Sequence, residues 1–295
     1  MSAEISKSPF QMDSPGHRLL RQTFRNRSAQ VGGVLLLILV LACLAAPLLT
    51  QQDPNSIDPS MTLQPPGLKY PMGTDAIGRD VFARFLYGGQ LSLRVGLVAI
   101  SIGAVLGITL GLISGYFGGW TDSIISWLTE ILLAFPDILL ALAILAILGP
   151  GIMNAMVAVG IAFVPSFMRL TRSSVMSMRE ASFVEAARAL GGSDFQILIK
   201  HILPNAMRTL LVLITLGIGS SILAGAALSF LGLGAQPPTP EWGAMLNAGQ
   251  KYVRQAWWLT VFPGLGIFLT ILSINLIGDA ISDAVAGTVV FSRPK

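Results

Sequence analysis

The amino-acid sequence predicts an all-α membrane protein of about six transmembrane helices, on three observations. Of its 295 residues, 53% are hydrophobic and only 12% charged, and mean hydropathy is +0.70, a balance outside the soluble globular range. The apolar residues gather in separate runs, each near or above the roughly 20 residues that cross a bilayer. Polar segments punctuate those runs, and their basic residues are unevenly shared.

Taken in order, residues 1–30 form a polar tail carrying Lys7, Arg18, Arg21, Arg25 and Arg27. The tail lacks the apolar core and small-residue cleavage site of a signal peptide, so the first span, 31–49, is expected to be retained. Residues 50–92 read as an extracytoplasmic segment in which Asp53, Asp58, Asp75 and Asp80 offset the basic residues. A membrane-spanning core is expected over 93–283, with spans at 93–116, 124–148, 152–168, 206–231 and 259–277 and a loop at 169–205, followed by a tail at 284–295. The fourth span is short. Arg169, Arg172, Arg179, Arg188, Lys200 and Arg208 surround the loop, against only Lys251 and Arg254 between the last two spans. By the enrichment of Lys and Arg on the cytoplasmic side, both termini and the loop are expected there.

Within the second span Gly103, Gly107, Gly111 and Gly115 recur every four residues, a face without side chains that admits close helix approach in lipid. Gly217, Ser221, Gly225 and Ser229 make a second small-residue face, read as packing, against a partner chain or beside a passage. Pro263-Gly264 predicts a local break, and Trp257-Trp258 suits the outer interface,.

Several chemistries are excluded. None of the five lysines follows a glycine, so no Walker A loop is present and any ATP must be bound by another chain. His17 and His201 are far apart, Cys43 is the single cysteine, and neither HExxH nor Gly-x-Ser-x-Gly occurs. No catalytic or metal site can be named. The net charge of +4 is accounted for by topology and requires no nucleic acid. Glu130 and Asp137 lie seven residues apart in the third span, hence near one helical face,. They are read either as lining a pathway for a cationic group or as structural acids, Asp137 bonding to backbone freed by Pro136.

The loop carries the strongest motif. In VEAARALGGSDFQILIKHILPNAM, strong helix formers reach Gly191-Gly192, which supply a stop,. Ser182 stands three residues before Glu185, and Ser193 three before Gln196, so each can open a helix with a capping box,. The expectation is a helix from about Phe183 to Leu190, a glycine elbow, a second short helix, and a span beginning at Pro204.

Glu185-Ala186-Ala187, Gly191, then Leu203-Pro204 resemble the cytoplasmic coupling loop of ABC importer permeases. His201 stands where many members have isoleucine, and the peptide-transporting branch resembles this chain in having His there. Two further stretches are similar to the dipeptide, oligopeptide and nickel branch: Gly73-Thr74-Asp75-Ala76-Ile77-Gly78-Arg79-Asp80, and the run from Leu228 through Glu241-Trp242-Gly243. Arg79, between Asp75 and Asp80, reads as fixed by ion pairing in a clasp over the outer mouth. The C-terminal end departs from the branch, with Ala280, Ser282 and Val285-Ala286 intervening before the tail.

The resemblance implies a type I ABC importer permease fold in the inner membrane and no catalysis by this chain. It implies a second, homologous permease as partner in a heterodimer, two ATPase subunits that hold ATP and Mg, and an extracytoplasmic substrate-binding protein. Membrane lipid surrounds the spans. The implied cargo is a di- or oligopeptide, with nickel or glutathione as alternatives.

Overall fold

The computed structural model describes residues 21–290, with side chains to residue 286; Lys7, His17 and Arg18 of the basic tail, and residues 291–295, lie outside the described residues. Ten helices carry the description: α1 (Arg27–Leu44), α2 (Val81–Phe117), α3 (Gly119–Leu133), α4 (Asp137–Leu148), α5 (Ile152–Met178), α6 (Ser182–Ala189), α7 (Asp194–Ile197), α8 (Leu203–Phe230), α9 (Trp242–Gly249) and α10 (Trp258–Val290). Five runs are long and apolar enough to span a membrane, namely α1, α2, α5, α7 through α8, and α10, with a sixth if the bent pair α3 and α4 counts as one.

Several boundaries differ from expectation. Helix α1 starts inside the segment read as tail, because the Asn26 side chain caps it by accepting the Ser28 N–H at 2.9 Å. Helix α2 starts at Val81, ahead of Leu93, because Asp80 accepts the Phe82 N–H at 3.0 Å and satisfies an orphan donor of the first turn,. Arg84, Tyr87 and Gln90 lower the hydropathy of those turns, yet Val81, Phe85 and Leu86 are buried there against Trp242. Helix α5 continues past Met168 because Thr171 and Val175 are buried within the chain. Helix α10 runs unbroken through Pro263; Phe262 and Ile267 on either side of it pack into one apolar cluster.

The third span is the largest correction. Phe135 precedes Pro136, which disfavours helix there, and Pro136 itself is extended at φ −55°, ψ 136°. Helix α3 therefore stops, and α4 restarts at an angle of 96°. Glu130 and Asp137 fall on opposite sides of this bend and do not share a helical face.

The centre of the fold is the pair α2 and α5. A Cβ built on Gly103, Gly107, Gly111 or Gly115 would meet the backbone carbonyls of Gly160, Val164, Met168 and Arg172 in turn, at 2.9, 2.6, 2.7 and 2.9 Å. Both series advance by four, so the helices run parallel with backbones in contact, which maximises dispersion between them. The second small-residue face also turns inward. Gly217, Ser221, Gly225 and Ser229 are buried, Gly217 facing Ile100 and Gly225 facing Val95 of α2. That face packs within this chain and is unavailable to a partner or a passage.

Candidate functional site

Helix α5 leads into the loop. Its first helix, α6, is capped by Ala181, whose carbonyl accepts from Val184 and Glu185 at 2.9 and 3.2 Å. Ser182 is thus the first helical residue and makes no capping bond, contrary to the expected box, because the helix begins one residue earlier than Glu185 required. Glu185 sits in the first turn, where a carboxylate complements the helix dipole,.

The elbow is a Schellman closure: Gly191 N–H donates to the Arg188 carbonyl and Gly192 N–H to the Ala187 carbonyl, both at 3.0 Å,. Gly191 takes φ +83°, which a side chain rarely tolerates,. Ser193 and Gln196 then form the complete capping box of α7.

Pro204 does not begin a new span. The helix from Asp194 to Phe230 is continuous, and residues Leu198–Ile202 form a π turn in which Leu203 N–H reaches the Leu198 carbonyl. Widening the helix by one residue accommodates a ring that would otherwise press on the carbonyl four residues back.

Val184, Ile197, Leu198 and Ile202 bury themselves against Leu112 of α2 and Val175 of α5, with Ala187 and Leu203 half-buried beside them. The opposite side is apolar and uncovered. Phe183, Leu190 and Phe195 are 41%, 89% and 72% exposed. Glu185, Ala186, Gly191, His201 and Pro204 are exposed on the same segment, and the His201 carbonyl accepts from Asn205 Nδ2 at 2.7 Å.

Polar contacts tie the loop to the bundle. Tyr116, at the end of α2, donates its hydroxyl proton to Asp194 Oδ1 at 2.6 Å, and Arg188 Nη2 donates to the Tyr116 oxygen at 3.4 Å. That bond holds the Arg188 guanidinium above its ordinary value. Two residues back on α2, Ser114 donates to Asp122 of α3. Asp122 also receives Ser126 at 3.1 Å and the Arg172 fork through Nε at 2.5 Å and Nη2 at 2.7 Å. Tyr116, Asp122 and Asp194 escaped the sequence reading because the Tyr116–Asp194 and Asp122–Arg172 pairs join residues 78 and 50 positions apart, at spacings no local motif encodes.

Glu130 shares a polar cleft of about 110 Å³ with Ser126, Thr129, Arg169 and Arg172. Asp137 instead enters an apolar groove of about 240 Å³ beside Phe163, Ser220, Leu223 and Ala224. Asp137 accepts no hydrogen bond from the backbone near Pro136 among the described residues; the Pro136 carbonyl is taken by Leu140 N–H at 3.0 Å.

At the far end of the bundle, Asp75 accepts Arg79 Nε at 2.6 Å and the Arg79 and Ile77 N–H groups at 2.9 and 3.0 Å. Among the described residues Arg79 pairs with Asp75 and not with Asp80, which caps α2; burial raises the Asp80 carboxyl. Thr74 pairs with Asp80 in an isolated bridge, and its carbonyl accepts the Trp258 indole N–H at 3.1 Å. Trp258 is therefore turned inward, while Trp257 is half exposed. Gly73 and Gly78 are buried at the turns. Trp242 donates its indole N–H to the Phe85 carbonyl at 2.9 Å, and Ser92 donates to the buried Glu241 carboxylate at 2.8 Å. Arg84 spans the same region, donating to the Pro54 and Pro238 carbonyls at 2.9 and 3.2 Å.

The helical bundle finds its counterpart in known proteins. Residues 107–289 match the family model described as binding-protein-dependent transport system inner membrane component. The chain belongs to that family. Residues 14–66 of the permease also match the N-terminal TM domain of oligopeptide transport permease C. It is 47% identical to the dipeptide transport system permease protein DppC of Alkalihalophilus pseudofirmus, over 92% of this chain and 89% of the relative. It is 43% identical to the glutathione transport system permease protein GsiD of an Escherichia coli strain, over 94% and 91%. Among solved structures it is similar to the MetNI methionine ABC transporter in an inward-facing conformation, with TM-score 0.53, 23% identity, and coverage of 68% of this chain and 95% of that one. An amino acid ABC transporter aligns with TM-score 0.52 at 17% identity, over 66% and 91%. These likenesses show an ABC importer permease fold. The permease is thus a multi-pass inner-membrane component of a binding-protein-dependent ABC transport system.

Proposed function

We propose that this permease forms part of the translocation path for di- or oligopeptides, delivered by an extracytoplasmic binding protein and driven by two separate ATPase subunits. The observation that carries the coupling role is the loop itself. Its inner face is locked to α2 and α5 while Phe183, Leu190 and Phe195 stay uncovered around Glu185. Such a surface suits docking on a soluble partner. ATP and Mg reside on those subunits, and this chain performs no chemistry on the solute.

In this reading the loop end faces the cytoplasm, in keeping with its basic residues, and so do both termini. The clasp of Gly73, Thr74, Asp75, Gly78, Arg79 and Asp80 faces outward. A second, related permease completes the passage, and lipid covers the remaining apolar faces, including α1, where Val31, Val34, Leu37, Ile38 and Leu41 are exposed. Asp137 borders the path in an otherwise apolar groove, suited to a peptide ammonium group. Glu130, beside Arg169 and Arg172, is placed in a mixed-charge cleft less suited to a cation. Alternating access requires that nucleotide favour one global state and that the loop's contacts differ between states.

Reconstitution of the chain with its copurifying subunits tests the reading. ATP-dependent uptake of labelled dipeptide, with nickel and glutathione as competitors, is expected, and competition by either would reassign the cargo. Glu185→Ala is expected to insert normally and to lose uptake. Uptake that follows an ion gradient without an ATPase would instead indicate a self-contained secondary transporter.

A further inference from the structure

The contacts that join the loop to the bundle carry a consequence beyond docking. Apart from the apolar cluster, the polar contact between the loop and α2 among the described residues is made by one phenol: Tyr116 donates to Asp194 at the start of α7 and accepts from Arg188 in the last turn of α6. It therefore grips both halves of the loop across the Gly191 elbow. Ser114, on the same turn of α2, donates to Asp122, which holds the two-pronged bond with Arg172 of α5. Loop, α2, α3 and α5 are thus joined by two sets of polar contacts, one at Tyr116 and one at Asp122, that meet through the backbone of α2.

We infer that Tyr116 is a positioning residue that converts displacement of the loop into movement of α2, and through Ser114 and Asp122 into movement of α3 and α5. The apolar cluster alone is a poor transmitter of direction, since dispersion contacts permit sliding, whereas the geometry of hydrogen bonds to ionised partners resists it. The phenol is rigid, with two side-chain torsions, and its hydroxyl both donates and accepts. Phenylalanine keeps the ring's packing and removes only the link. This inference rests on the coupling role proposed above.

The test is the ratio of solute moved to ATP hydrolysed by the reconstituted complex, for the wild type, Tyr116→Phe and Asp194→Asn. The wild type must first show ATP-driven uptake; if it does not, the coupling reading fails and the strut with it. Given a coupled wild type, Tyr116→Phe is expected to lower the ratio by about two- to tenfold, the range for loss of one ordinary hydrogen bond, with ATPase subunits copurifying as before. Asp194→Asn, which retains an acceptor oxygen, is expected to fall between the two. An unchanged ratio in Tyr116→Phe would overturn the inference. So would loss of ATPase subunits in proportion to lost uptake, because the phenol would then only shape the docking surface. If Tyr116→Phe does not insert, Asp194→Ala supplies the same comparison without touching α2.

Discussion

Gly107→Ala probes the seam between α2 and α5 with a single methyl group. The new Cβ would lie 2.6 Å from the Val164 carbonyl oxygen and close upon Phe167 Cβ, both on the neighbouring helix and neither the tip of a flexible side chain. Restoring ordinary contact requires a local retreat of about 0.8 Å, enough to forfeit a quarter to a half of the dispersion energy where the helices touch. Overpacking of this kind costs about 1–3 kcal/mol. With unfolding entropies typical of chains this size, the midpoint of thermal unfolding in detergent should fall by about 2–5 °C. Gly33→Ala in α1 is the control, since nothing lies within 4 Å of its added Cβ. The readout is the temperature at which the monodisperse peak disappears in size-exclusion chromatography. Equal midpoints for the two variants would refute the backbone contact deduced from the four-residue register.

Two further outcomes are expected. Asp122→Asn should destabilise the detergent-purified chain by about 1–3 kcal/mol, the worth of hydrogen bonds to a charged group, and adding Arg172→Gln should cost much less than the sum of the single variants. Additivity in that cycle would show that the pair is not coupled. Asp58 accepts the Ser60 hydroxyl at 2.6 Å and its N–H at 3.1 Å, which lowers its carboxyl below the usual range. A depressed carboxylate contributes local order that is fully present above the ordinary value and is lost as pH falls through the lowered one. Protection of the Ser60 and Met61 amides, corrected for intrinsic exchange, should persist on acidification past the ordinary carboxylate range and then fall, whereas Asp58→Asn, with no carboxyl to titrate, should show no such transition; the same transition in both would contradict the cap.

What the sequence disclosed, and what it withheld, divides along physical lines. The four glycines, the Gly191 elbow and the Ser193 box were legible because each depends on residues within one or two turns. The Asp75–Arg79 pair was readable for the same reason. The early start of α2 was hidden by Arg84, Tyr87 and Gln90, polar enough to lower hydropathy although their helix is held by the distant Trp242 and Glu241. Treating Glu130 and Asp137 as partners on one face assumed an unbroken helix; Pro136 signalled the break, but not the 96° turn that sends the two acids to different cavities. The π turn before Pro204 spans only five residues, too few to leave a periodic trace, so Pro204 looked like a beginning. The joints made by Tyr116 and Asp122 depend wholly on tertiary placement.

Helix α2 is longer than the membrane is thick. Its 37 residues make a rod about 55 Å long, against a hydrocarbon layer of about 30 Å. One end holds Arg84 and Ser92 in the clasp, the other holds Tyr116 beside the loop. Whatever lands on the first end and whatever pushes on the second therefore grasp the same beam. Communication between the two faces of the membrane needs no relay of intermediate residues: a tilt imposed at one end is already a displacement at the other.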